Sequence, residues 1–140
     1  MKPYNWKNKT IIVVEDDDYN FRYISEVLNR SNPHLIRAKT GLEAFFLSME
    51  YPYPDLVIMD MKLPEMNGYE ATQLIKKFRP NLPVIAFTGC VMNAERKKCM
   101  EVGCDFYLSK PTLPETLQDA VHEFLAMPAE KPEYQQYSIF

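Results

Sequence analysis

Asp55-Leu56-Val57-Ile58-Met59-Asp60-Met61-Lys62-Leu63-Pro64-Glu65-Met66-Asn67-Gly68 is the stretch whose reading decides the fold. A short apolar run, Leu56 to Met59, stops on a carboxylate, Asp60, and a loop marked by Pro64 and Asn67-Gly68 follows. A branched, unbroken apolar run of this length suits a strand covered on both faces, as in a parallel sheet. In open parallel sheets ligands gather in the crevice beyond the carboxyl ends of the strands. Asp60 is therefore a candidate site residue by position alone.

Four further strand-then-helix units flank this one. Thr10 to Val14 is β-branched throughout and reads as a buried strand. Glu15-Asp16-Asp17-Asp18 ends it, and Asp17 or Asp18 can cap a helix whose apolar positions are Phe21, Ile24, Val27 and Leu28. Asn32-Pro33 stops that helix, and His34 to Ala38 forms a weaker strand. Gly41 to Glu50 reads as a helix with Leu42, Phe45, Phe46 and Met49 as its apolar stripe, broken by Pro52 and Pro54.

After Asp60, Asn67 and Glu70 have capping-box spacing for a helix to about Phe78. Val84 to Phe87 is a fourth strand, ending at Thr88-Gly89; Asn93 is placed to cap the next helix and Gly103 to end it. Phe106 to Leu108 is the fifth strand, followed by Ser109-Lys110-Pro111. Thr112 and Glu115 suggest a capping box for a last helix to about Ala126, with Leu117, Val121, Phe124 and Leu125 inward. Phe87 and Phe106 are expected in the core. Strand and helix alternate five times. The expectation is an α/β, (βα)5, flavodoxin-like three-layer sandwich with a five-stranded parallel sheet of order 2-1-3-4-5.

Composition agrees. At 140 residues and 46% hydrophobic content, a single globular domain is expected. It divides into a lead-in over 1–9 with Trp6 as its apolar anchor, a domain over 10–127 and a polar tail over 128–140, which Tyr134, Tyr137 or Phe140 could pack down. A net charge of −3 gives no basic face for nucleic acid. No apolar run approaches the ~20 residues of a membrane span, and Met1 to Lys9 lacks an apolar signal core. Cys90, Cys99 and Cys104 are odd in number and without Cys-x-x-Cys spacing, which fits reduced thiols in the cytoplasm. Of the three, Cys90 is the one to test for reactivity.

In this architecture four strand ends share one rim, carrying Glu15, Asp16 and Asp17, then Asp60, then Thr88, then Lys110. Carboxylates gathered so closely repel one another unless a cation joins them. Mg²⁺ takes oxygen ligands from one or two carboxylates together with phosphate oxygens, and Mn²⁺ suits the same set. An Asp nucleophile, a cation pocket, a hydroxyl and a Lys are the parts that phosphoryl transfer to a carboxylate needs.

Four motifs in chain order then resemble the CheY-like receiver domain of two-component response regulators: Ile-Val-Val-Glu15-Asp16-Asp17, Met-Asp60-Met-Lys-Leu-Pro-Glu-Met-Asn-Gly, Ala-Phe-Thr88-Gly and Tyr107-Leu-Ser-Lys110-Pro111. The resemblance spans about Lys9 to Met127. It implies that Asp60 accepts the phosphoryl group, that Asp16 and Asp60 ligate Mg²⁺, and that Glu15 acts through water. The backbone carbonyl of Lys62 would be a further ligand. Thr88 and Lys110 would hold the phosphoryl group, Thr88 and Tyr107 would switch, and Pro111 would follow a cis bond. A histidine kinase or histidine phosphotransfer protein would be the donor. The face built by the fourth helix, fifth strand and fifth helix would be the output, with a homodimer through it as one expectation. Glu15 in place of the commoner Asp, and Gly89 in place of a small Ala, depart from the family pattern without breaking it.

Plainer roles stand beside these. Asp60 could be a strand-end cap, Glu15 to Asp18 a helix N-terminus, Lys110 a solvated side chain and Tyr107 core. His34 and His122 lie away from the rim and read as structural. A haloacid-dehalogenase-type phosphatase would need a second Asp two residues after the nucleophile, where Lys62 stands. A flavin phosphate would meet the acids after the first strand. A receiver-like scaffold that is never phosphorylated is the third alternative, and the full set of Asp16, Asp60, Thr88 and Lys110 argues against it. The expected role is a phospho-accepting switch, not a turnover enzyme. It would be free-standing or part of a hybrid kinase, whose linkers the segment Asn5 to Thr10 resembles.

Overall fold

The computed structural model describes residues 4–89 and 92–127. The expectations for Cys90 and for the tail over 128–140 lie outside the described residues. Five strands, β1 (Thr10–Val14), β2 (His34–Ala38), β3 (Leu56–Met59), β4 (Val84–Thr88) and β5 (Phe106–Ser109), alternate with five helices. The helices are α1 (Asp18–Asn29), α2 (Gly41–Ser48), α3 (Gly68–Phe78), α4 (Asn93–Glu101) and α5 (Pro114–Leu125). The strands form one sheet of order β2-β1-β3-β4-β5, and every pairing is parallel. This is the flavodoxin-like α/β architecture.

Strand alternation divides the apolar residues between two cores. Ile11, Val13, Ile58 and Phe87 pack with Ile24 of α1 and Val121 of α5. Ile12, Val14, Met59 and Ala86 pack on the opposite face with Ala71 and Ile75 of α3 and Cys99 of α4. The central strands are buried along their whole length, so their runs carry no polar alternation.

The lead-in joins the first of these cores. Trp6 is 2% exposed, its N–H donates to the Ser31 carbonyl, and its indole N–H donates to His122 Nδ1 at 3.2 Å. Tyr4 stacks on the His122 ring at 3.8 Å, and its hydroxyl donates to Asp119 Oδ1 at 2.6 Å.

Helix starts follow the expected chemistry in two cases. Asp17 accepts from the N–H groups of Tyr19 and Asn20, and Asn67 with Glu70 closes a capping box on α3. At α4 and α5 the expected caps shift. Met92 holds the cap position of α4, so Asn93 is already helical and no side chain caps that end. Leu113 holds the cap position of α5 because Pro114 takes the first helical place, where its missing N–H and fixed φ fit. Thr112 is left one residue too early for a capping box.

The α2 stripe also differs. Gly41, Ala44 and Ser48 face inward, while Leu42 and Phe46 are exposed at 41% and 54%. α2 packs on α3 with small and large residues together: Ala44 and Ser48 are fully buried and the half-buried Phe45 sets its ring 5.7 Å from that of Phe78, while Leu42 and Phe46 turn outward. Phe106, on the sheet's outer strand, is 38% exposed and sits 6.0 Å from the Phe124 ring.

Candidate phosphoacceptor site

The rim is built from the loops that follow β1, β3, β4 and β5. β1 delivers four consecutive acids, and the structure gives each a separate place. Glu15 is 1% exposed; its Oε2 accepts from the Asp17 N–H at 3.2 Å and its Oε1 from the Lys110 ammonium. Asp16 is exposed. Asp17 caps α1. Asp18 pairs with the Arg37 guanidinium at 2.8 Å, which holds its carboxyl below the usual range.

Asp60 follows β3 directly. Its N–H donates to the Val14 carbonyl at 3.1 Å, extending the β1–β3 ladder by one step. Its carboxylate is oriented from two sides: Oδ1 accepts from the Lys62 N–H at 3.1 Å, and Oδ2 lies 3.4 Å from Lys110 Nζ. Carboxylate oxygens of Glu15, Asp16 and Asp60 all lie within 4.8 Å of one another. Such a set of hard oxygen donors fits a divalent cation of the Mg²⁺ type.

Burial pushes the Glu15 carboxyl up to about 7, and the Asp60 charge adds to this, while the bonds from Lys110 and the Asp17 N–H oppose it. The site gathers more negative charge than Lys110 balances.

Thr88 ends β4 with its side chain fully buried, and among the described residues its Oγ1 has no hydrogen-bond partner. A buried hydroxyl at a rim of acids, with its bonding capacity unused, suits an oxygen-bearing ligand. The Thr88 carbonyl accepts from the Lys110 N–H at 2.9 Å, tying β4 to the loop after β5. The Lys110–Pro111 bond is cis. Tyr107 lies apart from the acids: it is half-buried in β5, opposite Ala86, with the Arg96 guanidinium 5.9 Å from its ring centre. The rim thus brings together Glu15, Asp16, Asp60, Thr88, Lys110 and the Lys62 backbone, and leaves Tyr107 on the α4 side.

One contributor has no counterpart among the expectations from sequence. Gly68, which the Asn67-Gly68 pair marks as part of a loop, is the first residue of α3, and a Cβ on it would sit 2.3 Å from the Asp60 carbonyl oxygen and 2.6 Å from Met61 Cα. Only glycine lets α3 start against the backbone that carries Asp60. The Asn67 cap just before it is the available signal. Gly89 is different, since a Cβ there would meet nothing within 4 Å.

Comparison with known proteins agrees with this geometry. The family described as response regulator receiver domain matches residues 11–122. The polar-differentiation response regulator DivK of Brucella ovis is 36% identical over 105 residues, covering 74% of this chain and 85% of that protein. Among solved structures, the BeF3-activated DrrB receiver domain superposes with a TM-score of 0.77 at 34% identity, covering 85% of this chain and 98% of that one. The receiver domain of sensor histidine kinase PA1611 from Pseudomonas aeruginosa, determined with a magnesium ion in its active-site cleft, gives 0.79 at 27% identity, with coverage of 85% and 98%.

Proposed function

The chain belongs to the response regulator receiver domain family, and on that premise we propose that Asp60 is the side chain that accepts the phosphoryl group. Receivers of this family act as switches in two-component signalling, working with histidine kinases or phosphotransfer proteins. The observation that carries the assignment to Asp60 is its setting. Its carboxylate lies 3.4 Å from the Lys110 ammonium and within 4.8 Å of the Glu15 and Asp16 carboxylates, at the rim where β4 ends on Thr88, whose buried hydroxyl has no partner among the described residues.

The donor is a phosphohistidine. A carboxylate oxygen of Asp60 bonds to phosphorus as the donor's P–N bond breaks, and the released imidazole nitrogen takes up a proton. Lys62, through its N–H on Oδ1, keeps the Asp60 carboxylate turned toward the rim. Lys110 holds positive charge against the incoming phosphoryl oxygens. Asp16, Asp60 and the Lys62 carbonyl would hold Mg²⁺, or Mn²⁺, with Glu15 acting through water. When bound, the cation offsets the charge that builds on the phosphoryl oxygens. The magnesium ion in the active-site cleft of the similar PA1611 receiver supports a cation in this cleft.

Once the acyl phosphate has formed, Thr88 Oγ1 donates to it. Tyr107, on the neighbouring strand, turns inward as Thr88 moves, and this changes the face made by α4, β5 and α5. That face serves partner recognition or homodimerisation. Lys62 occupies the place where a phosphatase of the haloacid-dehalogenase type would need an acid. Loss of the phosphoryl group is therefore limited to hydrolysis of the chain's own acyl phosphate, and the chain does not turn over substrates. A cytoplasmic location is part of the same proposal; no helix among the described residues is long and apolar enough to cross a membrane.

Incubation with Mg²⁺ and acetyl phosphate, followed by intact-mass measurement, tests the assignment. A single added phosphoryl group is expected on the wild type and none on Asp60→Asn. An unchanged wild-type mass, or undiminished addition to the variant, overturns it.

A further inference from the structure

Arg37 lies on β2, outside all four motifs that mark the site, yet its side chain grips the β1–α1 loop from both ends. Its Nε–H donates to the Glu15 backbone carbonyl at 3.1 Å, and its terminal nitrogen pairs with Asp18 Oδ1 at 2.8 Å. Its guanidinium carbon lies 4.4 Å from the ring centre of Phe21, one turn into α1. Asp16 lies between the two gripped residues.

We propose that Arg37 is a positioning residue for cation binding, holding the β1–α1 loop so that the Asp16 carboxylate is presented beside Asp60 and Glu15. The proposal rests on the reading of Asp16 and Asp60 as ligands of a divalent cation. The Asp16 side chain is exposed, and its direction is set by the backbone of a loop that Arg37 ties down together with the Asp17 cap, the Glu15 side-chain bonds and the β1–β2 ladder. The rigid fork of Arg makes both contacts at once and sits over the Phe21 ring, which the single ammonium of Lys does not reproduce. The ion pair also engages Asp18, so that this fourth acid stands apart from the set formed by Glu15, Asp16 and Asp60.

Positioning and simple electrostatics predict opposite signs. Arg37 is a cation next to an acidic pocket. If it acted only through its charge, removing it would tighten Mg²⁺ binding. If it positions the loop, removing it weakens binding by about tenfold or more, the range seen when groups that orient metal ligands are lost.

Mg²⁺ affinity of the whole chain, measured by isothermal titration calorimetry for wild type, Arg37→Met and Arg37→Lys, decides between them. The fold of each variant is checked by circular dichroism. Weaker binding is expected in both variants, with Arg37→Lys intermediate because an ammonium can keep the pair with Asp18 while the bond to the Glu15 carbonyl is lost. Tighter binding by Arg37→Met, or wild-type affinity in Arg37→Lys, overturns the proposal while leaving the cation site intact. If Arg37→Met does not fold, the affinity of Arg37→Lys is sufficient to decide. Failure of the wild type to bind Mg²⁺ at millimolar concentrations overturns the reading of the site and this inference with it, an outcome distinct from variants that bind as the wild type does.

Discussion

The Lys110 ammonium donates to the carboxylate of Glu15, and the two side chains are 16% and 1% exposed. This pair closes the rim from the side of β5, while Asp60 stands 3.4 Å away and competes for the same cation. Burial is the main reason that the Glu15 carboxyl is pushed up to about 7, from an ordinary value near 4.5. A carboxyl raised in the folded state contributes stability that is complete below its unfolded value and fades as pH climbs through the folded one. The metal-free protein should therefore lose stability between about pH 4.5 and 7 on account of Glu15, by at most on the order of 3 kcal/mol. Urea unfolding with EDTA, at pH 5 and pH 8, checks this. Glu15→Gln, which has no charge to bury, should gain on the wild type as pH rises; an identical pH dependence in both proteins would refute the assignment.

Two glycines next to the site should respond in opposite ways to the same change. Gly68→Ala forces a methyl group to 2.3 Å from the Asp60 carbonyl, against backbone that cannot give way cheaply. It should cost about 3 kcal/mol and slow phosphorylation of Asp60, because β3 and α3 must part. Gly89→Ala enters open space and should stay within about 0.5 kcal/mol of the wild type, with phosphorylation preserved. Denaturant midpoints and acetyl phosphate labelling of the two variants, side by side, test the contrast.

Trp6 behaves as core although it precedes the first strand. Its ring is buried in the core cluster that also holds Ile11, Val27, Leu28 and Val121, and its indole N–H donates to His122. Trp6→Ala should cost about 3–5 kcal/mol, the range for removing a large buried aromatic. Trp6→Phe, which keeps most of the packing and drops the bond to His122, should cost about 1 kcal/mol. Unfolding curves that coincide for Trp6→Ala and wild type would place the domain boundary after the lead-in.

The described cysteines should be inert in the native state. Cys99 and Cys104 are buried, and burial pushes the Cys104 thiol up to about 12, so thiolate is scarce at neutral pH. Iodoacetamide at pH 7.5 should leave both unmodified, and the same treatment in urea should alkylate both, as read by peptide mass mapping. Native alkylation of Cys104 would contradict its burial.

Legibility followed the range of the forces involved. β1, β3 and β4 were readable because strands buried on both faces need unbroken apolar runs, and Asp60 stood out because such a run ended on a charge. α1 and α3 were readable from Asp17 and from the Asn67–Glu70 pair, whose bonds span only two or three residues. The starts of α4 and α5 were misplaced by one position, since a permissible cap at Asn93 or Thr112 does not oblige the chain to use it, and Pro114 set the α5 register instead. The α2 stripe is legible only in part: helical spacing marks a face, and Phe45 does lie on it against Phe78 of α3, but Ala44 and Ser48 take the fully buried positions and Leu42 and Phe46 turn outward.

From the sequence alone came the order of elements, the parallel sheet and the identities of the acids, the hydroxyl and the lysine at the rim, because period, punctuation and residue type are local properties. Only the tertiary structure allotted the other three acids after β1 to their tasks, with Glu15 on Lys110, Asp16 beside Asp60 and Asp18 on Arg37. Only it required glycine at position 68. Those outcomes depend on distances between segments far apart in the chain, and such distances exist only once β2, β3 and the loop after β5 have been packed around β1.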